Sequence, residues 1–591
     1  MCGIAGKIYF DEKTRVSEEE LRKMTRAIAH RGPDDEGFYI KNNVGLGNRR
    51  LAIIDLSPKG HQPMSDKNKK TWITFNGEIY NYKEIRQMLA SKGVKFYSQT
   101  DTEAIIYLYQ YYKENCVQYL RGMFAFAIWN EEEKKLFLAR DRFGEKPIKY
   151  SLNDKMFIFG SELKAIFTDP IIKKEIDKEA IENFLNFQYC PSPMTGFKNI
   201  FKLPPGHYLI LKDKKITVQR YWQPNYQPKF NQSENEIVSR TKELIREAVR
   251  YQMIADVPVG AALSGGIDSS IITGLMSQES SLPIETFSIG FNSPTDELEY
   301  ARIVAKKFKT KHHEFIVKPN LIETLEKIIA AYEEPFVDSS ILPTWFLAET
   351  IKPYVKVVLT GEGGDENFVG YNKYNLAKKF AFFKKINFPT QLIPLRSWRK
   401  ILNPKNESDF LLHLINIFPG KLNNAAKQTM AKIFEQAETA NNILEKISYF
   451  DFTSYLPDDL TTKSDIAMMA HSVESRCPFL DHKLVEYTIK IPFSLKLKND
   501  NNKYLLEKAF QDLLPNEILN RGKQGFGLPL SFWFSQPKIV KYAKSVLTKK
   551  EFSNRKIIEK DKLKALFSDP PKNAYQIWIL MLLELWFEKY F

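Results

Sequence analysis

Residues 257–276 constrain the fold more than any other stretch. Val257-Pro258-Val259-Gly260-Ala261-Ala262-Leu263 reads as a buried strand. It runs into Ser264-Gly265-Gly266-Ile267-Asp268-Ser269-Ser270 and then an apolar helix. A strand that turns through glycines into a helix presents backbone N–H groups and the positive helix end to an anion. Short buried strands alternating with helices are the pattern of an α/β domain. No lysine follows the glycines, which excludes the Walker loop of kinases and GTPases. Asp268 inside such a loop repels phosphate unless a divalent cation lies between them, so it reads as a Mg²⁺ ligand. Further on, Val355 to Leu359 reads as another buried strand, ending in Thr360-Gly361-Glu362-Gly363-Gly364-Asp365-Glu366. Two acids among three glycines at a strand's C-terminal end suit the crevice of an open sheet. Asp365 reads as a second Mg²⁺ ligand and Glu362 as a base or orienting group. A tight turn with a capping Asp or Ser remains the alternative for the first loop, and an acidic turn for the second.

The chain also begins with a reactive pattern, Met1-Cys2-Gly3-Ile4-Ala5-Gly6. Removal of Met1 leaves Cys2 with a free α-amine, which titrates near ~7.7–8.0 and is partly neutral at physiological pH. A base held beside a thiol produces a thiolate nucleophile without a catalytic histidine. Attack on an amide creates an oxyanion that needs preorganised donors. Asn76-Gly77 offers a side-chain amide and a backbone N–H on a turn after a strand, although Asn-Gly is also a common hairpin turn. Arg50 suits an α-carboxylate through its bidentate fork. Asp101 suits an α-ammonium; followed by Thr102-Glu103, it is equally a candidate helix cap.

The chain has 591 residues, enough for two to four domains at ~150 residues each. Hydrophobic content of 43% and charged content of 27% are those of a globular protein with large cores. Four cysteines, with no CxxC pair, fit a reducing compartment and a cytoplasmic enzyme. The N-terminus lacks a secretory pattern, since Lys7, Asp11, Glu12 and Lys13 interrupt it. The apolar run Ile577 to Leu583 is too short to span a bilayer and is broken by Glu584, so it predicts a buried helix rather than a membrane contact. Net charge is +15, but the lysines are dispersed, which favours a solvated surface over a nucleic-acid face.

The first third predicts an α+β layer structure. Trp72 to Phe75, Phe124 to Trp129 and Leu136 to Ala139 read as strands, and Glu18 to Ala29 and Thr102 to Lys113 as helices. A domain closes near Leu203 to Tyr208, and the polar, proline-containing Tyr221 to Glu234 is the best linker. Lys378 to Asn441 reads as basic amphipathic helices.

These motifs together resemble the glutamine-hydrolysing asparagine synthetase family of bacterial type, nearly end to end. Beyond the stretches already quoted, the resemblance rests on His30-Arg31-Gly32-Pro33-Asp34, Asn76-Gly77-Glu78-Ile79-Tyr80-Asn81 and Thr100-Asp101-Thr102-Glu103. It continues through Gly122 to Ala127, Ala139 to Gly144, Tyr455 to Leu460, Arg476, Pro478 to Asp481, Lys503 and Lys523 to Gly527. It implies an N-terminal-nucleophile αββα sandwich over residues 2–210, a connector over 211–234, and over 235–591 a Rossmann-like ATP-pyrophosphatase domain with a helical C-terminal part. It makes Cys2 the nucleophile, Asn76 and Gly77 the oxyanion hole, and Arg50, Glu78 and Asp101 the glutamine site. Ser264, Gly265, Gly266, Asp268 and Ser269 become the ATP and pyrophosphate loop. Ile289, Thr360 and Gly361 become the nucleotide pocket, and Asp268 and Asp365 hold Mg²⁺. Glu362 acts in forming an acyl-adenylate and Lys503 stabilises its charge. The implied substrates are glutamine, aspartate and ATP, and a homodimer is compatible with the family.

The sequence departs from the family at Asn48 (usually His), at Glu145 and Lys149 (usually apolar or aromatic) and at Ile466 and Glu507 (both commonly Arg). Asn367-Phe368-Val369-Gly370 also replaces the usual Leu-Phe-Gly-Gly. The changes at 367–369, 466 and 507 lie in the synthetase half and leave open an acceptor other than aspartate, such as a glycan or peptidoglycan carboxylate. A nucleic-acid-modifying ATP pyrophosphatase is the third reading, and it gives the Cys2 domain no role.

Overall fold

The computed structural model describes residues 2–291, 296–317, 320–386, 404, 406–418, 423–522, 527 and 530–591. Its first part is a sandwich of two antiparallel sheets. One sheet runs Ile200–Lys202, Lys149–Leu152, Met156–Gly160, Cys2–Tyr9, Val44–Arg50, Asp35–Lys41. The other runs Lys215–Arg220, His207–Lys212, Lys135–Arg140, Gly122–Asn130, Thr71–Ile79, Met64–Ser65. Period-two alternation sorts each strand between two cores. Ile4 and Ile8 pack between the sheets with Ala125, Ala127, Leu136 and Leu138. Ala5 faces outward against Leu21 and Met24 of the helix Glu18–Ala27. Phe124, Phe126 and Ile128 pack with Ile85, Leu89 and Ile105 from the helices Tyr82–Ala90 and Asp101–Tyr112. Strands buried on both faces explain why these runs read as almost continuously apolar. The result is the expected four-layered αββα arrangement, and it places Cys2 at the buried start of a central strand.

Two expectations shift here. The Lys215–Arg220 strand pairs with His207–Lys212, so the sandwich runs past residue 210 and the expected connector begins as sheet. Between Arg220 and the helix Glu234–Gln252 there is no regular element, but Tyr226 is fully buried, so this segment is a packed strap rather than a free tether.

The second part is built on a five-stranded parallel sheet. Its order is Lys311–Ile316, Glu285–Gly290, Val259–Ala262, Val357–Leu359, Glu474–Arg476. Numbered along the chain, the strands stand 3-2-1-4-5. The order reverses between Val259–Ala262 and Val357–Leu359, and a crevice opens beyond the C-terminal ends of two such strands. The two glycine loops read from the sequence are the segments leaving these two strands.

The remainder is helical. The final helix, Ala574–Tyr590, buries Trp578 and Trp586, and its internal Glu584 is held by Arg555 Nε at 2.8 Å. Among the described residues no helix is long and apolar enough to cross a membrane. Around 378–441 the helices Asn372–Lys385 and Glu407–Ile415 pack through stacked Phe380 and Phe410, and Asn424–Gln436 lies against Glu407–Ile415; residues 387–403, 405 and 419–422 lie outside the described residues. Lys523 to Phe526 lie outside the described residues.

Candidate active sites

The strand Cys2–Tyr9 pairs with Val44–Arg50 so that Cys2 stands opposite Arg50. That register brings the thiol and the guanidinium to the same end of the sheet. Cys2, Arg50, Gly77, Glu78 and Asp101 line one cavity. The Cys2 nitrogen donates to Asn76 Oδ1 at 3.0 Å, which orients the amide. Asn76 Nδ2 is then buried without a hydrogen-bond partner among the described residues, a donor available to an incoming oxygen. Burial pushes the Cys2 thiol up, while the Leu51 backbone N–H and Arg50 pull it down.

Asn76 and Gly77 do not form the expected turn. Both lie inside the strand Thr71–Ile79, opposite Ala125 and Phe124. Gly77 has φ +152°, and a Cβ on it would stand 2.1 Å from the Met123 carbonyl oxygen. The glycine is there because a neighbouring backbone approaches, not because the chain reverses.

Arg50 is buried and donates to the carbonyls of Ile54 at 3.2 Å, Asp55 at 2.5 Å and Ser57 at 3.3 Å. Gly60 makes room for it, since a Cβ there would lie 2.0 Å from Arg50 Nη2. Among the described residues no carboxylate forms an ion pair with the guanidinium, which leaves its charge for a ligand carboxylate. Thr100, not Asp101, is the helix cap, accepting from Glu103 N. Asp101 Oδ2 instead accepts from Ile79 N at 2.9 Å, and burial pushes its carboxyl up to about 6. Glu78 Oε1 lies 3.7 Å from Arg476 Nη2 of the parallel sheet. Burial, with Glu474 and Asp101 nearby, pushes Glu78 well above the usual carboxylate range.

The second site occupies the crevice of the parallel sheet. Gly266 caps the helix Ile267–Glu279. Gly265 has φ +73°, and a Cβ on it would stand 2.6 Å from Ala301 N, so glycine is required. Ser264 Oγ and Ser269 Oγ lie 3.1 Å apart, Gly266 N donates to Ser264 Oγ at 3.2 Å, and Arg521 Nη1 donates to the Gly265 carbonyl at 2.8 Å. Lys503 Nζ sits 2.5 Å from Asp268 Oδ2 and 2.7 Å from Asp365 Oδ1. Burial opposes its charge, but Asp268 and Asp365 outweigh that and raise its pKa. One cation thus joins the two expected metal ligands. Among the described residues no three His, Cys, Asp or Glu are grouped to hold a metal. Two carboxylates are nonetheless the donor set Mg²⁺ uses when phosphate and water supply the other ligands.

Thr360 N donates to the Arg476 carbonyl at 2.9 Å, and a Cβ on Gly361 would stand 3.0 Å from Asp268 Cβ. Glu362 Oε1 accepts from Ser464 Oγ at 2.7 Å. Ile289 is buried in the second parallel strand. The sequence reading missed what joins the two halves. Arg31, fully buried, donates to the Cys2 carbonyl at 3.2 Å and pairs with Glu162 and with Asp465, each at 2.7 Å. It stands in the His30-to-Asp34 motif, a signal quoted without a role. Asn48 donates to Thr74 Oγ1 at 3.0 Å and is a structural bridge between strands.

The chain matches the family model for asparagine synthase over residues 240–588 and that for the glutamine amidotransferase domain over residues 1–222. Asparagine synthetase [glutamine-hydrolyzing] 1 of Bacillus subtilis is 33% identical over 99% of this chain and 96% of its own length. A putative asparagine synthetase [glutamine-hydrolyzing] 2 of Methanocaldococcus jannaschii is 41% identical over 65% of this chain and 78% of its own. An amidase, chry2, of Gibberella zeae is 31% identical over 94% and 92%. With a glutamine amidotransferase unit and an ATP-using unit in one chain, this is an enzyme of glutamine-dependent amidation. It belongs to the asparagine synthase family.

Proposed function

We propose that the enzyme converts aspartate, glutamine and ATP to asparagine, glutamate, AMP and pyrophosphate. The observation that supports this best is the pairing, in one chain, of the Cys2 cavity with the Lys503–Asp268–Asp365 cluster at the sheet's switch point. After removal of Met1, the α-amine of Cys2 takes the thiol proton. The thiolate attacks the glutamine side-chain carbonyl, and Asn76 Nδ2 and the Gly77 N–H donate to the oxyanion. Arg50 holds the α-carboxylate of glutamine and Asp101 its α-ammonium. The ammonium of Cys2 returns a proton as ammonia leaves, and water hydrolyses the thioester to glutamate.

In the crevice, an oxygen of the acceptor's side-chain carboxylate attacks the α-phosphorus of ATP and pyrophosphate departs. The loop from Ser264 to Ser269 cradles the phosphates, and Lys503 offsets the developing charge. Glu362, oriented by Ser464, faces formation of the β-aspartyl-AMP. Asp268 and Asp365 would hold Mg²⁺, which neutralises phosphate charge when bound. Ammonia then attacks the acyl carbon, releasing the amide and AMP. Ammonia is mostly protonated in bulk water, so an internal passage between the sites preserves its nucleophilicity. A cytoplasmic location accords with four unpaired cysteines.

The test uses glutamine labelled with ¹⁵N in its side-chain amide, Mg²⁺-ATP, and aspartate present or absent. Labelled asparagine with matching AMP is the expected result. Glutamate without asparagine or AMP sinks aspartate as acceptor. It then favours a larger carboxylate, the reading supported by Ile466, Glu507 and a relative that is named an amidase.

A further inference from the structure

Beside Glu362 lies a cluster of charged side chains to which the chemistry above gives no role. The helical segment Asp451–Leu460 runs directly into the helix Thr461–Met469. Ser464, which donates to Glu362, therefore stands on the same rod as Asp459 and Lys463. Asp459 and Lys463 are four residues apart, which puts them on one face of it. Lys463 Nζ donates to Ser340 Oγ at 2.7 Å and lies 3.6 Å from Asp338 Oδ1. Asp338 Oδ1 also accepts from Ser340 N at 2.6 Å. Asp459 and Lys463 are buried, whereas Asp338 and Glu362 are half-buried, so the cluster is reached from the side of Asp338 and Glu362.

Two features call for a second cation in this cluster. Asp459 Oδ1 is buried without a hydrogen-bond partner among the described residues. The adjacent Asp458 shows the contrast, accepting from Ser192 N at 2.7 Å and Ser192 Oγ at 2.6 Å. A buried carboxylate oxygen left unpaired is costly, so it marks the place of a donor. The charge balance gives that donor its sign. Burial opposes the charge of Lys463, but Asp338, Asp459 and Glu362 outweigh that and raise its pKa. Burial and Asp338 still push Asp459 well above the usual carboxylate range, even with Lys463 beside it. One lysine thus does not balance the carboxylates around it, and a ligand ammonium would.

We propose that Asp459, together with Asp338, binds the ammonium group of an amino-acid acceptor and so turns its reacting carboxylate toward Glu362 and ATP. The proposal deepens the aspartate reading above and rests on it. The ammonium donates one N–H to Asp459 Oδ1 and another to the Asp338 carboxylate. A sugar acid carries no such cation and leaves Asp459 unpaired. A site built around a buried hydrogen-bonding group rejects an analogue that lacks the matching group, so these two carboxylates select the class of acceptor.

The experiment measures AMP formation with Mg²⁺-ATP and ammonium chloride, with either aspartate or succinate, which is aspartate without its ammonium group. Wild type, Asp459→Asn and Asp338→Asn are compared. KM for ATP and glutamine hydrolysis report in parallel whether each half still folds and works, and Asp338→Asn reads the same site should Asp459→Asn not fold. The expected result is a wild-type KM for aspartate at least about tenfold below that for succinate. Each variant raises KM for aspartate about 10–100-fold, the size of a hydrogen bond to a charged group, and leaves KM for succinate and ATP unchanged. Wild-type enzyme that uses succinate as well as aspartate, or folded variants that keep the wild-type preference, overturns the proposal. Wild-type enzyme inert with aspartate refutes the aspartate reading instead. Glutamate is then compared with glutarate and glucuronate: use of glutamate alone upholds the ammonium site, and use of glutarate or glucuronate overturns it.

Discussion

Replacing Gly77 by alanine tests whether the glycine inside a strand is catalytic geometry. The new Cβ would stand 2.1 Å from the Met123 oxygen and 2.7 Å from the Phe124 Cα, both backbone atoms that cannot rotate away. The strand Gly122–Asn130 must therefore shift, or Gly77 must leave its φ of +152°. Overpacking and a disfavoured φ each cost about 1–3 kcal/mol, so the sandwich loses about 2–6 kcal/mol of local stability. Either relaxation also moves the Gly77 N–H. Loss of one oxyanion donor lowers the rate by about 10²–10³. The assay is glutamate release from glutamine, with ammonia-fed AMP formation as the internal control. G77A is expected to lose glutaminase kcat by about that factor while the control stays near wild type. A variant that folds and hydrolyses glutamine at the wild-type rate would refute both the strain and the donor assignment.

Three further outcomes are expected. Cys2→Ala abolishes glutamine-dependent amide formation and leaves ammonia-dependent formation intact; loss of both, measured side by side, counts against two separable sites. Asp101, raised to about 6, is protonated below that pH and cannot hold an α-ammonium, so KM for glutamine rises about tenfold per unit of acidification below it. The folded state binds this proton more tightly than the unfolded chain, so the associated stability is full below the unfolded pKa of ~3.9 and is lost as pH rises through about 6. In Asp101→Asn the pH dependence of KM disappears and KM is high throughout, and a pH–KM profile from 5 to 8 reads both. Val369, a β-branched residue at φ +60°, ends the short helix that carries Asp365. Val369→Gly relieves about 1–2 kcal/mol of left-handed strain but loses about 1.5–3 kcal/mol of side-chain burial and about 0.5–1 kcal/mol to added chain entropy, so urea resistance of the ATP-using half falls. A rise in resistance would mean that the strain outweighs valine packing.

The chemistry-bearing residues were legible because each lies in a contiguous motif whose local physics is its own signature. The glycines of Ser264-Gly265-Gly266 announce a strand-to-helix turn wherever they are placed, and alternation in Phe124 to Trp129 announces a strand with two buried faces. Asn76-Gly77 shows the limit of such reading. The same dipeptide serves a hairpin turn or a close strand crossing, and only the nearby Met123 carbonyl distinguishes them. Asp101 likewise could not be told from a cap until Thr100 took that role. Tertiary structure alone decided the long-range meetings: Lys503 between Asp268 and Asp365, Arg31 between Cys2 and Asp465, and Arg476 beside Glu78. Sequence spacing governs backbone conformation within a few residues. Charge pairing across hundreds of residues depends on how sheets and helices pack, and no local pattern records it.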